Sequence, residues 1–271
     1  EEIMEGKLIE IDLSAILICL KIKGETKEEI LGAAKIMRSK SLQLSYFENI
    51  VDTCGTGGDM SNTLNISTAA SLVAASCGVK IAKHGNKSVS SKSGSADMLE
   101  HIGYKFTKQI KELEKQLHDN NFCFMFAQYH HSAMKHVINV RKTLGTRTIF
   151  NLLGPLSNPA DAKFQLVGVY DSKWAEPMAE VLKKLGSKRV WIVHGSDGLD
   201  EITTTGPTEV VELNDGVIKR FSLAPEDVGF SRSELSDLKG GSSAENAQLM
   251  KGLLAGKKDP IRDIVLLNAG A

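Results

Sequence analysis

The chain has 271 residues, 42% hydrophobic and 24% charged, and its 33 Lys+Arg balance 33 Asp+Glu. That suits a globular protein of one large domain, or one large and one small. The lack of a basic excess argues against a protein that holds nucleic acid by its backbone.

Cys19, Cys54, Cys77 and Cys123 form no C-x-x-C pair and no zinc spacing, so free thiols in the reducing cytoplasm are expected. The first forty residues read as helices. The apolar stretch Leu13 to Leu20 is too short to span a bilayer and lacks a basic leader, so neither a membrane anchor nor a signal peptide is expected. Ile16, Leu17 and Leu20 share one predicted helix face. After Gly24-Glu25, Thr26 and Glu29 form a capping box for a second helix reaching about Ser39, with Ile30, Ala33, Ala34 and Met37 as its buried stripe. This helical region has an apolar face to hide, within the chain or against a second subunit.

From Ile50 the pattern becomes short strand, Gly-rich loop, helix. Ile50-Val51 leads into the loop Asp52 to Asp59, and a helix of small residues runs from about Ser67 to Cys77, stopped by Gly78. Val79 to Ala82 is the next predicted strand, entering a loop from Lys83 to Ser95, with a helix from Ala96 to Ile102. Further strands are predicted at Phe122–Phe126, Gln165–Tyr170 and Arg189–His194, with a helix over Trp174–Leu185. The alternation predicts an α/β fold with a mainly parallel central sheet. Ser132 to Leu153 reads as helical or irregular.

Three segments carry chemistry. Gly55-Thr56-Gly57-Gly58-Asp59 lets backbone N–H groups approach an anion, although neither G-x-x-x-x-G-K-[ST] nor G-x-G-x-x-G is present. Thr63, Asn65, Ser67 and Thr68 crowd hydroxyls and an amide at the next helix start; one is expected to cap the helix, and the rest are spare donors for a phosphate or pyrophosphate. The second loop places Lys83, Lys87 and Lys92 among Ser88, Ser90, Ser91, Ser93 and Ser95. By composition it could be solvated surface. In consecutive parallel units, however, the two loops lie side by side and favour a ligand with two phosphates. Asp200-Glu201, in the loop after Arg189–His194, is either a solvated turn or a magnesium site; the two anion loops favour magnesium.

These segments resemble anthranilate phosphoribosyltransferases. The resemblance runs through Gly55 to Asp59, Asn65-Ile66-Ser67-Thr68, Lys83-His84-Gly85-Asn86-Lys87-Ser88-Val89-Ser90-Ser91 on to Asp97, Arg141 to Thr148, Asn151 to Leu156, and Asp200-Glu201, and it covers nearly the whole chain. It implies a nucleoside phosphorylase-like fold: a small helical domain over 1–46, joined by 130–153, beside an α/β domain over 47–129 and 154–271, usually in a homodimer. It implies contacts to phosphoribosyl pyrophosphate from Gly55, Gly58, Asp59, Thr63, Asn65, Ser67, Thr68, Lys83, Ser91 and Ser95. Ile66, Gly85, Lys87, Ser88, Val89 and Ser90 fall in the same substrate-binding segments. Ser67, Asp200 and Glu201 match magnesium ligands. Gly55, Asn86, Arg141 and Gly154 match the anthranilate site, with His84 and His131 nearby.

The implied reaction transfers a phosphoribosyl group to anthranilate in tryptophan biosynthesis, with Mg²⁺ and no covalent protein nucleophile. Gln128 and Ser132, flanking His130-His131, and Lys87 depart from the commonest family pattern. Members extend further at both ends, so the sequence reads as part of a longer chain. A pyrimidine nucleoside phosphorylase, which shares the architecture, and a non-catalytic nucleic-acid-binding relative are the alternatives. The Lys83-His84-Gly85-Asn86 segment and the acidic pair favour the transferase.

Overall fold

The fold is described from a computed structural model that describes residues 1–45, 47–88 and 93–271. Val89, Ser90 and Ser91, named above as substrate-binding positions, lie outside the described residues.

Two helices open the chain, α1 (Glu10–Lys23) and α2 (Lys27–Ser39). The capping box forms as expected: Thr26 Oγ1 accepts the Glu29 N–H at 3.3 Å, and Glu29 accepts the Thr26 N–H at 2.9 Å. α2 buries Ile30, Ala34 and Met37. α1 buries Leu13 and Leu17, but Ile16 is 39% exposed. The expectation that Ile16 shares the buried face is therefore corrected. Positions 13, 17 and 20 define that face, and residue 16 sits about 100° round the helix from residue 17.

The chain continues through β1 (Val51–Asp52), α3 (Ile66–Ser76), β2 (Ile81–Gly85), α4 (Ser95–His101), α5 (Ile110–Asn120), β3 (Phe122–Phe126) and the short α6 (Ala127–His130). It then forms α7 (Ile138–Leu144), α8 (Phe150–Leu156), β4 (Phe164–Gly168), α9 (Ala175–Lys184) and β5 (Arg189–Gly195). The hairpin β6 (Thr208–Asn214) and β7 (Val217–Leu223) follows, then α10 (Ser243–Leu254) and α11 (Pro260–Gly270). One sheet has the order β3-β2-β1-β4-β5-β6-β7, parallel from β3 to β5 and antiparallel at β6 and β7. β3 is buried along its length, as a parallel strand covered on both faces must be.

The β6–β7 hairpin is not among the expected strands, although Asp215-Gly216, with φ of 44° and 82°, is a standard two-residue hairpin signal. β2 begins at Ile81 rather than Val79: Gly78, with φ 92°, first closes α3, and Val79 stays 38% exposed.

α1 packs on α7, and α2 packs on α8 and α9. Leu13, Leu17, Ile30 and Ala34 share one apolar cluster with Val137, Val140 and Leu152, and with Val167 and Met178 beside the sheet. On the far side, α11 packs along α3. Strand order reverses between β1 and β4, so the loops after β1, β2, β4 and β5 open onto one crevice at the strand C-termini, where open α/β sheets hold ligands. Among the described residues, no helix is long and apolar enough to cross a membrane.

Candidate active site

The loop after β1 turns at Gly57 and Gly58, whose φ values of 65° and 80° suit only glycine without strain. It is stitched to the end of β4 and to the acidic loop. Thr56 N–H donates to the Gly168 carbonyl at 2.9 Å, Tyr170 N–H donates to Thr56 Oγ1 at 3.0 Å, and Gly57 N–H donates to Asp200 Oδ2 at 2.8 Å. Arg147 donates to the Gly58 carbonyl and lies over the Tyr170 ring, 4.2 Å from its centroid. Beyond the turn, Ser61 Oγ donates to Asp59 at 2.5 Å and lies 3.3 Å from the Thr63 hydroxyl.

At the start of α3 the local cap expected among Thr63, Asn65, Ser67 and Thr68 does not form. Asn65 occupies the cap position without a side-chain bond to the helix. Its amide donates to the Ser93 carbonyl at 3.1 Å and accepts from Ser93 Oγ at 3.2 Å and Asn246 Nδ2 at 3.1 Å, so it joins the two loops. The cap comes from across the sheet: Ser67 N–H donates to Glu201 Oε1 at 3.1 Å, placing a carboxylate where the helix end carries partial positive charge. Ile66 is 1% exposed and packs in the core. The buried Thr68 hydroxyl has no partner among the described residues.

Lys83 is 2% exposed. Its ammonium donates to Thr53 O and Thr53 Oγ1, both at 2.9 Å, and to Ser67 Oγ at 3.3 Å, which uses all three protons. Three carboxylates surround it. Burial pushes the Asp52 carboxyl up to about 6. Burial, with the charge of Asp59, pushes Asp200 up to about 7. Burial and Asp200 push Glu201 well up. Lys83 is the cation that opposes each shift. With all three acids ionised, the cluster is two positive charges short, which is costly in a shielded site.

Asp200, Glu201 and Ser67 fit a magnesium ion that keeps waters and takes phosphate oxygens. They do not form a complete protein cage, and among the described residues no group of three or more His, Cys, Asp and Glu does so.

Two glycines make room for the pair. A Cβ on Gly55 would lie 2.9 Å from Asp200 Oδ2, and one on Gly168 would overlap the Asp200 carbonyl oxygen. Gly168→Ala is therefore expected to destabilise the protein by about 1–3 kcal/mol, read as a lower urea midpoint. An unchanged midpoint would show that the Asp200 backbone can move away freely.

The second loop is pinned at its stem by Asp97, whose Oδ2 accepts the Ser88 N–H at 2.8 Å and the Gly94 N–H at 3.0 Å. Lys87 pairs with Glu100 at 2.9 Å. Ser95 Oγ donates to the Asn86 carbonyl at 3.2 Å. Gly85 must be small, since a Cβ there would lie 2.7 Å from the Phe124 ring. Asn86 Oδ1 accepts from Lys87 N–H at 2.8 Å and Gln128 Nε2 at 3.4 Å.

His84 Nδ1 meets the Gly154 carbonyl at 3.1 Å, and its Nε2 meets His131 Nε2 at 3.2 Å. A carbonyl only accepts, so neutral His84 carries its proton on Nδ1 and His131 carries its own on Nε2. Burial holds His84 well below the ordinary imidazole value and His131 at about 4, which makes His131 a weak base.

Arg141 lies near the end of α7, 5.7 Å from the Phe150 ring centroid. Burial lowers its pKa, and among the described residues no carboxylate opposes that shift. Arg147, by contrast, is committed to Gly58. In the sequence only the family resemblance favours Arg141 over Arg147, and nothing there marks Asn246 and Asp97 as braces of the loops.

Glycosyltransferase profiles match both the α/β sheet, with its two loops and acidic pair, and the helical layer. A profile described as "Glycosyl transferase family, a/b domain" matches residues 47–271, and one described as "Glycosyl transferase family, helical bundle domain" matches residues 1–41. Anthranilate phosphoribosyltransferase of Methylocella silvestris is 52% identical over 269 residues, 99% of this chain and 77% of that protein. The crystal structure of the Thermus thermophilus enzyme of the same name superposes with a TM-score of 0.93 at 42% identity, covering 99% of this chain and 80% of that one. The Saccharomyces cerevisiae enzyme in complex with PRPP and Mg has a TM-score of 0.87 at 34% identity, covering 96% and 74%. The chain belongs to the anthranilate phosphoribosyltransferase family.

Proposed function

We propose that this chain transfers the 5-phosphoribosyl group of phosphoribosyl pyrophosphate to anthranilate in tryptophan biosynthesis, releasing pyrophosphate, with Mg²⁺ held by Ser67, Asp200 and Glu201. The observation that carries this reading is the placement of the acidic pair: Asp200 accepts the Gly57 N–H of the glycine loop and Glu201 accepts the Ser67 N–H at the start of α3. Anion-seeking backbone and cation-seeking carboxylates in one crevice suit a metal-bound pyrophosphate. The yeast relative in complex with PRPP and Mg supports the same reading.

When bound, Mg²⁺ would supply neutralisation of charge on the departing pyrophosphate. The chain's own residues position and polarise. The loop from Gly55 to Asp59, with Thr63 and Asn65, holds the phosphates. Lys83 acts from beneath, orienting Ser67 Oγ and balancing part of the acidic charge. No protein nucleophile is needed, and burial pushes the nearby Cys54 thiol far above its ordinary value. The NH₂ of Asn86 and the guanidinium of Arg141 hold the anthranilate carboxylate, which leaves the neutral arylamine to attack the anomeric carbon. Correct placement is then the main contribution to rate.

Exposed apolar side chains in the helical part over 1–46 and 130–153, Ile11 at 77%, Ile22 at 80% and Ile138 at 40%, support a homodimer that covers them.

Anthranilate fluorescence tests the reaction. It is expected to fall only when protein, phosphoribosyl pyrophosphate and Mg²⁺ are all present. Turnover in excess EDTA, or phosphorolysis of uridine in its place, would overturn the reading.

A further inference from the structure

The acidic pair is held in place from the other end of the chain. Ile202 follows Glu201, is fully buried, and has both its N–H and its carbonyl bonded to one side chain. Asn268 Oδ1 accepts the Ile202 N–H at 2.9 Å, and Asn268 Nδ2 donates to the Ile202 carbonyl at 2.8 Å. The second Nδ2 proton goes to the Ile264 carbonyl at 2.9 Å, one turn earlier in α11. That third bond fixes which way the amide faces, because a flip would lose all three.

Asn268 is 3% exposed and follows the apolar run Val265-Leu266-Leu267. A buried amide there costs free energy unless its bonds are made. The Ile202 N–H belongs to the peptide that begins at the Glu201 carbonyl, so holding it fixes the backbone at Glu201. α11 also packs along α3, with Ile264 and Val265 in one cluster with Ile66, Ala69 and Ala70. α3 carries Ser67, whose N–H donates to Glu201. One helix therefore sets both ends of the Ser67–Glu201 contact. On the preceding side, Asp197 accepts the Leu199 N–H at 3.1 Å and the Thr203 and Thr205 hydroxyls at 2.6 and 2.7 Å, so the acidic dipeptide is anchored in front and behind.

We propose that Asn268 is a positioning residue for the metal-binding pair. It fixes the backbone at Glu201 so that Asp200, Glu201 and Ser67 present their oxygens together, and it touches neither metal nor substrate. This rests on the reading of Asp200 and Glu201 as magnesium ligands.

The test measures Mn²⁺ binding by electron paramagnetic resonance in the presence of phosphoribosyl pyrophosphate, and the Mg²⁺ concentration giving half-maximal turnover. Four proteins are compared: wild type, Asn268→Ala, Asp200→Asn and Leu253→Ala, the last shortening a buried side chain of the same apolar cluster. Asn268→Ala is expected to weaken Mn²⁺ binding about 10- to 100-fold and to raise the Mg²⁺ requirement in step. The anthranilate KM at saturating metal stays unchanged. Leu253→Ala loses thermal stability but keeps its metal affinity.

Unchanged Mn²⁺ binding in Asn268→Ala, or an equal loss in Leu253→Ala, overturns the proposal. Wild-type Mn²⁺ binding by Asp200→Asn would instead overturn the ligand reading beneath it. Should Asn268→Ala not fold, Asn268→Asp keeps an acceptor for the Ile202 N–H and decides on the same terms: weakened Mn²⁺ binding supports the proposal, unchanged binding overturns it.

Discussion

Glu201→Gln is expected to lower kcat/KM for phosphoribosyl pyrophosphate by roughly a hundred- to a thousandfold while raising the thermal midpoint of the metal-free protein. The substitution keeps an oxygen to accept the Ser67 N–H, so the α3 cap survives, but it removes a charge. Loss of metal-assisted charge stabilisation is worth several kcal/mol, and each 1.36 kcal/mol is about tenfold in rate. Stability moves the other way because two shielded carboxylates with Lys83 as their opposing cation repel each other.

The pH dependence follows from the same shifts. The folded pKa values of Asp200, at about 7, and of Glu201 lie above their unfolded values. The stability these groups contribute is full below the unfolded values and is lost as pH rises through the folded ones. Buried His84, His130 and His131 have depressed values, so they act in the opposite direction and add stability as pH rises through the ordinary imidazole value of about 6.5. From pH 6.5 to pH 8, metal-free wild type should therefore lose stability relative to Glu201→Gln, in which the histidine contribution is the same and the Glu201 contribution is gone. A variant with wild-type turnover, or with a lower thermal midpoint in EDTA, would show that Glu201 is only a helix cap.

Arg141→Ala is expected to raise the anthranilate KM and leave that for phosphoribosyl pyrophosphate nearly unchanged. Arg141 is partly buried without a carboxylate partner among the described residues, and its pKa is lowered by that burial. A charge-assisted pair with the substrate would contribute about 1.5–3 kcal/mol, so kcat/KM for anthranilate should fall roughly ten- to a hundredfold. Arg147→Ala should show the opposite split, because Arg147 holds Gly58 in the phosphate loop. If Arg141→Ala folds and keeps its anthranilate kinetics while Arg147→Ala loses them, the acceptor site has been placed on the wrong arginine.

Local rules carried much of the fold. Thr26 and Glu29 announced α2, the unbroken apolar run Phe122–Phe126 announced β3, and Gly78 marked the end of α3. The candidate site was read as glycine loops and an acidic pair from their order along the chain and from the family resemblance, since each alone also fits a turn or a solvated surface. Long-range packing was not legible. Ile16 turned outward because Leu13 and Leu17 had already filled the buried face of α1. The cap of α3 came from Glu201, 134 residues away from Ser67, where the sequence offered local hydroxyls for the task. The sequence did not show that Lys83 donates to Thr53 and Ser67, partners that only the fold brings to it. Nothing in the sequence singles out Asn246 or Asn268, since an amide whose partners lie on another element carries no local mark.

The most direct test of the account is phosphorus NMR of a mixture of protein, anthranilate, phosphoribosyl pyrophosphate and Mg²⁺. One pyrophosphate should form for each anthranilate consumed, the 5′-phosphate should remain a monoester, and adding EDTA should stop both changes. Pyrophosphate released without loss of anthranilate, or anthranilate lost without pyrophosphate, would contradict it.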